Sequence, residues 1–288
     1  MVPAGSREWR PVGTRDVLPN IGVASFLCSG SIVHFTGPQV VSLSQASANP
    51  LPTLGSDLSS MRMRLLARNI LPQTAITCVQ FGLVRELKAS IDRAVGPHPF
   101  NLVLAYGTSS VPLIAWKYNL IIKDVYASFG RESPSAGAGL AEQAGRIWKK
   151  QIQPGLAWSY IRDCGSVGGG IVLGPVVGAF ISGTLLGNPP GAEAGLGLKF
   201  AGGVTSGCIT GLATQIFHNA ALTAGRIADQ TGTTPSNRQC MQAVLKEHGT
   251  KAFYLNFPLR VAIIAFWSAV LNVTEPFKDR ELVETALA

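Results

Sequence analysis

The stretch VLPNIGVASFLCSGSIVHFTGPQVVSLSQ, residues 17–45, contains no Asp, Glu, Lys or Arg, and the charge-free interval around it runs from Asp16 to Asp57. Three further intervals share this property: Arg93 to Lys117, Asp163 to Glu193, and Lys199 to Arg226. A helix crosses the hydrocarbon of a bilayer with about 20 residues, so each interval is long enough to span. Two shorter intervals, Arg68 to Arg85 and Arg260 to Glu275, reach across if their terminal arginines snorkel to the headgroups. A helix at a soluble surface would show a charged face within such lengths, and these stretches have none.

Composition agrees. Charged residues make up 14% of the 288 and apolar residues 47%. A soluble domain carries about 25% charged residues. The intervals predict six spans: Val17–Gln45, Leu65–Leu87, Pro99–Ile122, Ala157–Leu186, Leu198–Ile227 and Ala252–Val273. Asn49–Met61 reads as a Pro/Ser-rich link, and Gly187–Gly197 (GNPPGAEAGLG) as a turn-rich connector. Ala138–Gln151 and Ser236–His248 read as short amphipathic helices, the second closed by Gly249. Residues 1–15 form an N-terminal extension without the apolar core of a secretory signal, and residues 279–288 a C-terminal tail.

The net charge of +8 lies mostly in the connecting segments, as at Arg146, Lys149 and Lys150. That placement suits anionic lipid headgroups. No basic stripe is interleaved with aromatics, so nucleic acid is not an expected partner. The five cysteines (Cys28, Cys78, Cys164, Cys208, Cys240) lack metal-ligand spacing and read as small apolar residues, so no metal site is expected. His34 and His218 stand alone on apolar stretches, and there is no phosphate-binding loop or nucleophile elbow. Enzymatic chemistry is not expected.

An internal repeat organises the six spans. The second span of each pair opens with an arginine after a short apolar lead: LLARN (Arg68), SYIRD (Arg162) and FPLRV (Arg260), 94 and 98 residues apart. The units are residues 16–95, 98–188 and 196–278, within one domain of 16–278. Glycines recur every four residues at Gly170, Gly174 and Gly178, and again at Gly203, Gly207 and Gly211. Such rows let membrane helices approach closely.

Three units of this length, each two spans with a surface helix between, resemble the mitochondrial carrier family over nearly the whole chain. The segments 64–87, 158–174 and 247–277 resemble its even-numbered spans. The family signature P-x-[DE]-x-x-[KR], which kinks each odd span and pairs charges to close the matrix side, is worn. Unit two keeps Pro112 and Lys117 with Ile114 in the acid's place. Unit three keeps Arg226 and Gln230 with Ala221 and Thr223 in place of proline and acid. Unit one keeps Pro38 alone, with Val40 and Leu43. Of the cytoplasmic-side motif, Arg85, Glu275 and Lys278 remain.

The resemblance implies an all-α membrane fold: six transmembrane helices in three pseudo-symmetric repeats, in the mitochondrial inner membrane. It implies bound phospholipid, in that family cardiolipin, and no other cofactor. With all three signature acids missing, the resemblance implies a chain that no longer transports and serves as an accessory subunit of a larger inner-membrane complex, a respiratory complex or ATP synthase. The alternative is a working solute carrier, in which Asn69, Arg162, Asp163 and Arg260 would contact a small metabolite such as an amino acid. Lys117 and Arg226, without acids to meet, are expected to face water, lipid phosphate, the cavity or a neighbouring subunit.

Overall fold

The computed structural model describes residues 6–44, 58–131, 142, 145, 148–149, 153–187, 195–255, 257–278 and 280–285. Within them the body of the chain is helical. The long helices are α1 (Thr14–Ser44), α2 (Leu58–Val95), α3 (Pro99–Ser128) and α4 (Leu156–Leu185). They are followed by α5 (Leu196–Ala213), α6 (Gln215–Thr231), α7 (Asn237–His248) and α8 (Phe257–Thr274). The two tails pair as an antiparallel ribbon, β1 (Ser6–Pro11) against β2 (Arg280–Thr285), with Ser6 opposite Thr285. That pairing is absent from the sequence reading. The amphipathic segment predicted at Ala138–Gln151 and the connector 187–197 lie mostly outside the described residues.

Local chemistry sets the helix ends. His98 caps α3 by accepting the Phe100 amide on Nδ1 at 3.1 Å, and Pro99 at the first helical position has no N–H to satisfy. Ser236 and Gln239 form a reciprocal capping box at the start of α7, as its sequence predicts. α6 stops at Gly232, whose φ of +69° is open to glycine without a steric penalty.

The helices pack in chain order as a closed ring. α1 lies on α2, α2 on α3, α3 on α4, α4 on α5, α5 on α8, and α8 returns to α1. Among the described residues three helical segments have the length and apolarity to cross a bilayer: Arg15–Thr36, Leu156–Leu185 and Phe257–Thr274. Both glycine rows form the closest seam. A Cβ added at Gly203 would lie 2.5 Å from the Ala269 Cα, and one at Gly207 would lie 2.6 Å from the Ala265 Cα. α5 and α8 therefore touch backbone to backbone, which no larger side chain permits. Ser206 Oγ and Asn272 Nδ2 both donate to the Gly170 carbonyl across this seam.

One departure from the expected spans concerns the fifth. The helix continues through Pro38 and Pro112, as spans one and three require, while the span predicted at Leu198–Ile227 divides at Thr214. The interruption has a physical support. Arg260, buried on α8, donates to the Gly211 carbonyl at 2.6 Å, to Thr214 Oγ1 at 2.8 Å and to Gln215 Oε1 at 3.1 Å. A guanidinium thus satisfies backbone that an unbroken helix would satisfy for itself.

Candidate functional site: a polar interior

On α2 the polar Asn69, Gln73, Thr77 and Gln80 are buried beside Met61, Leu65, Phe81 and Val84, while Leu71, Val79 and Leu83 are exposed, Leu71 at 74%. A soluble helix turns its polar residues outward, and here four of them face in. The same inversion holds elsewhere: Asp163, Ser166 and Ser206 are buried, and Val176, Phe180, Ile209 and Leu212 are exposed. The interior thus mixes buried polar groups with an apolar core, while large apolar side chains also cover the outside, as suits a bundle in apolar surroundings.

The centre of this interior is Lys117, fully buried on α3. Its Nζ donates to Gln80 Oε1 at 2.6 Å and stands 5.7 Å above the Trp267 ring of α8. The Gln73 side-chain amide donates to the Lys117 main-chain carbonyl at 2.8 Å. Trp267 is held by its own N–H, which donates to Ser31 Oγ on α1 at 2.8 Å, and by the edge of Phe81. Ser29 and Thr77 close the α1–α2 contact with a 2.9 Å hydroxyl pair. Four helices thereby meet around one ammonium. Placing a lysine at a bilayer centre costs about 3 kcal/mol on insertion scales, and a desolvated cation–π contact returns about 2 kcal/mol. With one further hydrogen bond the charge is close to balanced.

Of the settings expected for Lys117 (water, lipid phosphate, the cavity or a neighbouring subunit), it takes the chain's own interior, where Trp267 and the Gln73/Thr77/Gln80 face supply its partners. Arg226, expected to meet no acid, is corrected. It forms a two-pronged pair with Glu247 on α7, one arm at 2.9 Å from Nη1 to Oε1. The two bases do not ring one gate. Lys117 is level with Trp267 in the second half of α8, whereas Arg226 meets Glu247, which precedes α8 in the chain. Gln230 is exposed in the last turns of α6, Pro112 is exposed on α3, and the Pro38 side chain lies outside the described residues.

The residues that the carrier resemblance would assign to a substrate are distributed as follows. Arg162 donates from Nε and Nη2 to the carboxylate of Asp163, which also accepts from Ser110 Oγ at 2.9 Å. Arg260 is committed to the α5–α6 break described above. Both arginines are within electrostatic reach of His218, whose Nδ1 is buried without a partner among the described residues. Asn69 belongs to another locality, donating to Asp124 Oδ2 at 2.7 Å and to the Leu65 carbonyl at 3.1 Å.

The remnants Arg85, Glu275 and Lys278 do come together. Arg85 donates to the carbonyls of Val12 at 2.7 Å and Lys278 at 3.2 Å, tying both tails to α2. Glu275, with φ of +46°, follows the end of α8 and pairs with Lys199 at 2.7 Å and Lys278 at 4.0 Å. Lys199 was not singled out in the sequence. Nor were Gln73, Thr77, Gln80 and Trp267, although glutamines and a threonine at i, i+4 and i+7 in a charge-free span were a readable signal. No family model, no curated protein and no solved structure matches this chain.

Proposed function

We propose that this chain is a six-span, carrier-like integral membrane protein that has lost transport and serves as an accessory subunit of a larger complex of the mitochondrial inner membrane. The reading rests on one observation above all. The side chains a carrier would offer to a passing solute are engaged by the chain itself: Arg162 by Asp163, Arg260 by the α5–α6 backbone, and Asn69 by Asp124. A solute would have to displace these bonds in a low-dielectric interior, where each charge-assisted bond is worth about 1.5–3 kcal/mol.

The organelle and the host, a respiratory complex or ATP synthase, come from the carrier resemblance alone. Bound cardiolipin or another phospholipid at the basic connecting segments belongs to the same reading. The test is extraction in mild detergent followed by native electrophoresis with an antibody to the chain. Quantitative migration with a megadalton assembly supports the subunit role. Migration alone, as a species near its own mass, removes it.

A second reading, a working small-metabolite carrier, draws on the clustering of Arg162, Asp163, His218 and Arg260. A base and an acid side by side suit a zwitterion. Saturable uptake that requires Arg162 would favour it.

A further inference from the structure

α6 and α7 carry a second, smaller core. Ile216, Ala220, Val244 and Ala252 are buried together with Trp158 and Phe217 packed against them, and none of these residues belongs to the main cluster of the ring. The first part of α4, Leu156–Asp163, is joined to α6 by the stacked rings of Trp158 and Phe217, 5.7 Å apart. At Gly155 the approach is closer still, since an added Cβ would lie 3.1 Å from the Ala221 Cα. Asn219 donates to the Ala252 carbonyl at 2.7 Å, which fastens the turn Gly249–Phe253, and the Arg226–Glu247 pair fastens α7. These parts hold one another and form a body of their own.

The body meets the ring where regular helix geometry fails twice. α4 loosens to π-helical bonding over Cys164–Gly168, with the Gly169 amide reaching back five residues to the Cys164 carbonyl. Across from it, α5 ends and α6 starts at Thr214. The two faults touch. A Cβ at Gly165 would lie 2.7 Å from Thr214 Cγ2, and Thr210 Oγ1 donates to the Ser166 carbonyl at 2.8 Å. Arg260, near the start of α8, clamps the Thr214 side. The chain re-enters the ring through a turn at Tyr254 and Leu255. Helices bend most readily at such faults. Towards α3 the body rests on polar groups beside a small apolar contact. Ser110 donates to Asp163 at 2.9 Å, the hydroxyls of Thr108 and Tyr160 are 3.3 Å apart, and Val111 packs by Tyr160. Polar contacts of this kind join bodies that move relative to one another.

We propose that Leu156–Asp163, α6, α7 and the turn Gly249–Phe253 swing as one rigid body against the ring, about a hinge formed by residues 164–168 and 211–215. Opening parts Asp163 and Tyr160 from α3, and closing restores those bonds. Glycine at position 165 permits the closed state, because a side chain there would strike Thr214. The hinge follows from the fold and is independent of docking to a larger complex.

The experiment is hydrogen–deuterium exchange of the purified full chain in detergent, resolved by peptide. In the wild type, amides of 164–168 and 211–215 should exchange about tenfold faster than those of 200–210 and 216–227. Ser110→Ala releases Asp163 from α3. It should speed the 211–215 amides, on another helix, roughly tenfold further and leave 216–227 unchanged. Gly107→Cys supplies a lock, since its Cβ would lie 3.5 Å from the Cys164 Cβ, within the span of a disulfide. Oxidation of this pair by diamide, which takes up the two thiol hydrogens, should slow both hinge segments to the rate of their flanks, and reduction should restore the wild-type rate. If that variant does not fold, Ser110→Ala carries the test. Hinge amides as protected as their flanks overturn the proposal. Exchange in 216–227 that rises with the hinge also overturns it, because the body would then be unfolding, not swinging. Hinge rates that ignore both Ser110→Ala and the disulfide overturn it as local fraying. None of these outcomes bears on migration with a larger complex.

Discussion

Arg162 and Asp163 are consecutive residues of one helix, yet they form a forked ion pair, Nε to Oδ1 at 2.6 Å and Nη2 to Oδ2 at 3.0 Å. Neighbours in a helix point about 100° apart and do not ordinarily face each other. Here the arginine folds back across the turn. Both side chains are largely buried, at 15% and 6% exposure. A positive charge that would otherwise be offered to the interior is thereby neutralised at its source.

Removing either partner should therefore harm the fold. Arg162→Ala or Asp163→Ala should each cost roughly 3 kcal/mol, because the remaining charge stays buried. The double variant should cost less than the sum of the two. A double-mutant cycle read by thermal unfolding in detergent measures this coupling. Strictly additive losses would mean that the pair is not one unit.

Glycine substitutions separate the α5–α8 seam from the rest of the bundle. Gly203→Val and Gly207→Val must push α8 away, since a Cβ at either site already overlaps its backbone. Each should cost more than about 3 kcal/mol or abolish folding. Gly22→Ala and Gly82→Ala place a methyl in open space within helices, and should be neutral or stabilise by about 0.5–1 kcal/mol. Purified yield and Tm of the four variants give the comparison.

Arg260 supports a broken helix through a planar fork, so lysine should not replace it. Arg260→Lys can reach one of Gly211, Thr214 and Gln215 as a point charge, not all three. The expected result is a loss approaching that of Arg260→Met, on the order of 3 kcal/mol. Equal stability of lysine and arginine variants would show that charge, and not geometry, holds the break.

Much of this architecture is written in the chain. The long charge-free stretches predict α1, α3 and α4, and the four-residue glycine rows predict where helices meet. Ser236, Gln239 and Gly249 mark α7. What the sequence hides is the consequence of distant contacts. The break at Thr214 depends on an arginine 46 residues away, and nothing local marks it. Lys117 lies in a worn carrier signature, which points to a gate. Its actual partners are set by Gln80 and Trp267, on helices before and after it. The pairing of β1 with β2 joins Ser6–Pro11 to Arg280–Thr285, the first and last of the described residues, and no spacing predicts that.

Glu247, on α7 between the fifth and sixth predicted spans, gives a pH dependence through its pair with Arg226. The hydrogen bond from Arg226 holds the Glu247 carboxyl below its ordinary value of 4.5. A depressed carboxylate stabilises the fold above its unfolded pKa, and the benefit disappears as pH falls through the lower folded value. Wild type should therefore exceed Glu247→Gln in stability at pH 7, by less than about 1 kcal/mol because both side chains are over two-fifths exposed. The difference should shrink below pH 4.5. A gap that persists at lower pH would exclude the carboxylate as its source.

The account stands or falls on whether the chain moves solutes. The measurement is exchange of labelled amino acids, keto acids and nucleotides by the purified protein in liposomes, beside an Arg162→Ala control. The account predicts uptake at the level of empty vesicles for every solute and for both proteins. Saturable exchange by the wild type that Arg162→Ala abolishes would contradict it, and would make Arg162 and Asp163 a substrate site.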